Sequence, residues 1–150
     1  MAMQKATLGT IAAVTIGIAA IALVSGLLVT NRMVPTTGNV NSIGVEVYWD
    51  LACTNRTTTI NWGTIDAGGT RTFNVYVKNN GTAAEVLSMT TSNWSPVSAS
   101  SQISLGWNCS NYVLAHGSVV GASLALSVSS SVSGITSFSF DITVTGTGNT

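Results

Sequence analysis

The chain has 150 residues, a formal net charge of zero and only five basic and five acidic side chains. Charged residues make up 7% of it, against about 25% in ordinary soluble domains, so nothing here points to electrostatic capture of nucleic acid or of an anionic surface. The length allows one hydrophobic helix and one domain of about 110 residues with a core of its own, and the Ser, Thr, Asn and Gly that replace charge point to glycan cover, burial in an assembly, or both.

The run Ala6–Asn31 carries no charge and is bracketed by Lys5 and Arg32. As a helix it would be roughly 39 Å long, more than a hydrocarbon core of about 30 Å requires. Three readings compete. A cleaved secretory signal is disfavoured by the length of the run and by the lack of a small-x-small site closing it. An uncleaved signal anchor fits both length and flanks. A filament-packing helix fits too: Gly9, Ala13 and Gly17 share one helical face, Ala22 and Gly26 repeat the spacing, and small residues let helix backbones approach closely. A segment this rich in Ala and Gly also yields such a stripe by chance. The expected organisation is a hydrophobic N-terminal helix over 1–32, a linker over 33–43 and an extracellular domain over 44–150. The linker reading rests on MVPTTGNVNS, residues 33–42, which has turn formers and no periodicity.

From Gly44 onward the period is two. Val45, Val47 and Trp49 alternate with Glu46, Tyr48 and Asp50. Phe73, Val75 and Val77 alternate with polar neighbours, as do Leu124, Leu126 and Val128, and then Phe138, Phe140, Ile142 and Val144. Each pattern predicts a half-buried strand. Weaker strands are expected at 58–62, 86–90 and 103–107, with turn clusters at Asp66-Ala-Gly-Gly, Lys78-Asn-Asn-Gly, Ser95-Pro and His116-Gly. About seven short strands without helical period predict an all-β sandwich of immunoglobulin-like type. A small closed barrel is the alternative; single apolar faces favour two sheets packed face to face.

Cys53 and Cys109 each lie shortly after a strand ending in Trp, at Trp49 and Trp107. In an exported domain an even cysteine count favours a disulfide. It would close a loop of about 56 residues and contribute up to roughly 4 kcal/mol. Two free, half-buried thiols are the other reading. Sequons for N-glycosylation occur at Asn55, Asn80, Asn93 and Asn108, all in expected turns or loops. Pro96 follows the Asn93 sequon and should lower its use, and Asn80-Gly81 also reads as a hairpin turn. Asn55 and Asn80 are the leading candidates.

No catalytic set emerges. His116 is the sole histidine and sits in a turn-like Ala-His-Gly-Ser, two Cys and one His lack zinc spacing, and the five carboxylates are scattered. Calcium and phosphate loops are missing from the sequence. No cofactor and no enzyme activity are expected. Among the aromatics, Trp49 and Trp107 are in phase with core residues, so packing is the simpler reading than a sugar platform. Tyr48 and Tyr76 are expected to face outward and to be open for contacts between subunits.

The stretch GVEVYWDLACTNRTTTINWGTIDAGGTRTFNVYVKNNGTAAEVLSMTTSNWSP, with SLALSVSSSVSGITSFSFDITVTGTG after it, resembles small archaeal surface proteins with an immunoglobulin-like domain, through its WG-x-I-x-x-G turn and V-x-V-K-N-x-G strand. The resemblance covers nearly all of 44–146 and brings no catalytic residues. The layout is also similar to archaeal type IV pilins, which join a hydrophobic helix to a Ser/Thr-rich, often glycosylated β-sandwich. That likeness implies leader cleavage at the Lys5-Ala6-Thr7 junction, placing Ala6 and Thr7 at the cut. It further implies a non-enzymatic cell-surface protein that self-associates as a homopolymer and holds the membrane through its N-terminal helix, with glycan or other cell-surface partners. The alternative is a monomeric membrane-anchored binding or adhesion module.

Overall fold

The computed structural model describes residues 32–33 and 37–149. The expected N-terminal helix lies outside the described residues, with its packing positions Gly9, Ala13, Gly17, Ala22 and Gly26 and the Ala6–Thr7 junction. Among the described residues no helix is long and apolar enough to cross a membrane.

The strands in chain order are β1 (Arg32–Met33), β2 (Thr37–Ile43), β3 (Glu46–Tyr48), β4 (Thr59–Asn61), β5 (Ile65–Asp66), β6 (Thr70–Lys78), β7 (Glu85–Ser95), β8 (Ile103–Trp107), β9 (Val113–Leu114), β10 (Val119–Val128) and β11 (Ser139–Gly148), with one 3-10 turn at Val97–Ser101. They form a four-stranded sheet in the order β3-β6-β10-β8, a five-stranded sheet in the order β4-β2-β11-β7-β9, and a β1-β5 pair. The four-stranded sheet is antiparallel throughout. In the other, β11 pairs parallel with β2 and antiparallel with β7.

The period-two patterns explain the core. On β6 it is Val75 and Val77 that are buried, on β10 Ala122, Leu124, Leu126 and Val128, and on β11 Phe140, Ile142 and Val144. These faces meet in one cluster with Ile60, Trp62 and Leu87. Trp62, with no exposed surface, stands edge-on to Phe73 of one sheet at 5.3 Å and stacks on Phe140 of the other at 6.3 Å. Fully burying an aliphatic or phenyl side chain contributes about 1.5–3 kcal/mol, so this apolar layer between the two sheets is the main stabilising term. The described residues are therefore mostly strand in two main sheets, compatible with an all-β sandwich.

Two expectations change. Part of the expected linker is the strand β2, held between β11 and β4. Its side chains are mostly exposed, with only Gly38 buried and Val40 half-buried. The backbone ladder holds it, so no hydrophobic alternation marks it. Asn80-Gly81 is not a hairpin turn either, because β6 and β7 belong to different sheets and the segment between them crosses from one to the other.

Candidate interaction surface

The Cys53–Cys109 disulfide is not formed; both cysteines are free, Cys53 half-buried and Cys109 buried. The reason is topological. The strands that precede them, β3 and β8, are opposite edges of one sheet, and the three antiparallel pairings between them make these strands run in opposite directions. Three strand spacings are roughly 14 Å, whereas a disulfide needs Cα atoms within about 7 Å. The Cys109 sulfur lies 3.6 Å from the Gly121 carbonyl oxygen, and burial pushes its thiol pKa up.

The four sequon asparagines are all exposed, in different settings. Asn55 sits on a loop organised by Asp50, whose carboxylate accepts from the Thr54 hydroxyl at 2.7 Å and from the Asn55 backbone N–H at 2.8 Å. These bonds, the Thr54 hydroxyl first, hold the Asp50 carboxyl below its ordinary pKa. The Asn80 amide donates to Glu46. Asn93 has φ 53° and donates to Asp141 at 2.7 Å. It occupies a bulge, where the β7–β11 register shifts between Ser139 and Asp141, and a short polar residue accommodates the left-handed backbone a bulge requires. The Asn108 side-chain oxygen accepts from the Ser123 backbone N–H at 2.8 Å.

Trp62 is in the core, and Trp49, Trp94 and Trp107 pack partly buried against it. Trp94 stacks on Phe140 at 4.2 Å. The four indoles thus make core contacts rather than a shared platform. Tyr48 departs from expectation. It is only 9% exposed, and its hydroxyl donates to Glu46, which also meets Arg56. Tyr48 is therefore not open for contacts between subunits, while Tyr76 is half-exposed. The His116 ring meets the Gly81 carbonyl. Among the described residues no group of three or more His, Cys, Asp or Glu is placed to hold a metal ion.

One surface was not anticipated. From Val86 to Phe140 the chain contains no Asp, Glu, Lys or Arg. The fold lays this stretch along one flank of the sandwich, where β8 is an edge of the four-stranded sheet and β9 an edge of the five-stranded one. The 3-10 turn adjoins the start of β8 and carries Val97, 81% exposed. The chain leaving β8 exposes Tyr112 (46%) and Val113 (50%). A recess of about 310 Å³ lined by Ser100–Ser104 and Ser127–Ser129 opens beside the start of β8. The signal was in the sequence as a long gap in the charges, but only the sheet order turns that gap into a flank.

No family model matches the chain, and a search of the curated proteins finds no match.

Proposed function

We propose that this chain is a non-enzymatic structural protein of the cell surface, a pilin-like filament subunit. Its charge-free segment Ala6–Asn31 packs in the filament core or the membrane, and its sandwich, of immunoglobulin-like type, faces outward. The observation that carries this reading is the charge-free segment joined to a β domain whose flank from Val86 to Phe140 is also without charge. Apolar, uncharged surface on a domain this small suits repeated contact with neighbouring copies better than a solitary life in water. Exposed sequons, Asn55 foremost, are where glycan would cover what the assembly leaves open. The alternative, a monomeric anchored binding module, would draw support from an exposed aromatic platform, and the partial burial of Trp49, Trp94 and Trp107 against the core lends it less.

Electron microscopy of native surface material, immunolabelled for this chain, tests the reading. Labelled filaments are the expected result. Protein found only as detergent-requiring monomers overturns it.

A further inference from the structure

A sheet edge left long, uncharged and open is a template for another strand, and folded proteins shorten, cover or charge their edges. Three of the four main edges here follow that rule. β3 is three residues long, and residues 55–57 run along it: the Trp49 N–H donates to the Asn55 carbonyl at 2.8 Å, and the Thr57 N–H to the Val47 carbonyl at 2.9 Å. β4 is three residues long. On the far side of the five-stranded sheet β9 pairs only with Glu85 and Val86, while the stretch of β7 left open beyond Leu87 is interrupted by the bulge at Asn93. The fourth edge, β8, has five residues, Ile103–Trp107, with no charge, no proline and no bulge in its pairing with β10. Beyond that pairing, no backbone group of residues 104–107 is hydrogen-bonded among the described residues.

We propose that β8 is the docking edge for a second copy of this chain, paired antiparallel about Leu105, so that two four-stranded sheets join into one of eight strands. This rests on the filament-subunit reading for the supply of neighbouring copies. A pairing centred on one residue is a closed two-fold contact, so it joins subunits of two filaments side by side rather than successive subunits of one. The pattern of the strand favours a copy of itself as the occupant. In an antiparallel pair centred on Leu105, Ile103 stands opposite Trp107 and Ser104 opposite Gly106. Ile103, Leu105 and Trp107 are the buried or half-buried positions, while Ser104 and Gly106 are the exposed ones. Apolar residues therefore meet apolar residues on the core side, and small or polar ones meet on the outer side. A charged edge would bring like charges face to face in such a pair; this one brings none. Trp107 of the second copy arrives beside Ile103, at the mouth of the serine-lined recess.

The test uses the full chain in detergent micelles, with self-association followed by sedimentation. Ser104 is exposed, and a Cβ at Gly106 meets nothing within 4 Å, so both positions accept new side chains without repacking. Ser104→Lys with Gly106→Lys sets Lys against Lys twice and weakens association about tenfold. Ser104→Lys with Gly106→Glu sets Lys against Glu twice and restores it. Association through residues 6–31 is indifferent to either change, and thermal melts by circular dichroism check that both variants are folded. A wild-type chain that stays monomeric overturns the proposal, as does association that the double lysine leaves untouched. Loss without rescue by the Lys/Glu variant also overturns it, because the edge then takes another occupant, such as a different segment of this chain. If native filaments persist with the double lysine and still lie side by side, the filament reading stands and the β8 contact falls. If no filaments exist yet the charge swap behaves as expected, the reverse holds.

Discussion

The Tyr48 hydroxyl donates to Glu46 and is the largest influence holding that carboxyl below its ordinary pKa. Partial burial opposes it, while Arg56, Asn80 and Lys78 add to it. Asp50 is held down by Thr54 and the Asn55 backbone, and Asp141 by Asn93 and then Asn39. All three groups thus keep their charge in the folded chain to lower pH than in the unfolded one. Below about pH 4.5 the unfolded chain takes up protons first, so stability present at neutral pH is lost as pH falls through the depressed values. Melting temperature should therefore drop between about pH 6 and about pH 3. Tyr48→Phe removes the main hold on Glu46, so the drop in this variant should be smaller than in the wild type. An equally steep acid limb in Tyr48→Phe would show that Glu46 is not part of it.

At the scale of the element, the crossing from β6 to β7 depends on Asn79. Its side chain is fully buried, donating to the Ala83 carbonyl at 2.8 Å and the Leu114 carbonyl at 3.0 Å, and accepting from the Gly81 N–H at 2.8 Å. One residue thereby ties the end of β6 to the crossing segment and to β9. Asn79→Ala leaves those three partners without it and should cost about 2–4 kcal/mol in urea unfolding. The neighbouring exposed Asn80→Ala should stay within about 0.5 kcal/mol. Equal losses for the two would refute this role for Asn79. Nothing in the local sequence separates Asn79 from Asn80; both sit in one turn cluster, and only the placement of β9 buries the first. The same division governs the rest of the fold. β6, β10 and β11 are legible because each buries one face of a period-two strand. β2 is not, since its polar side chains leave the ladder to hold it. The cysteines mislead because a shared Trp–Cys spacing says nothing of which sheet edge each strand occupies. The β8 edge is read only from the sheet order, although the gap in the charges around it is plain in the sequence.

At the scale of the molecule, charge is segregated. Glu46, Asp50, Arg56, Asp66, Arg71 and Lys78 fall on β3, β5, β6 and their connections, and Glu85 opens β7. The stretch from Val86 to Phe140 has none, and Asp141 follows on β11. Contacts made on the two sides should then respond to salt differently. The Debye length shrinks from about 10 Å at 0.1 M to about 3 Å at 1 M, which screens exposed ion pairs such as Glu46–Arg56 and leaves uncharged surface alone. Burial of apolar surface and backbone pairing at β8 has no exposed charge to screen. Self-association of the full chain should accordingly change by less than about threefold between about 0.1 M and 1 M sodium chloride, and tighten in sulfate, which favours burial. Sedimentation across that series reads both effects. A weakening of tenfold or more with sodium chloride would move the contact to the charged β3–β6 side, because only there does the fold gather enough opposite charge for screening to matter.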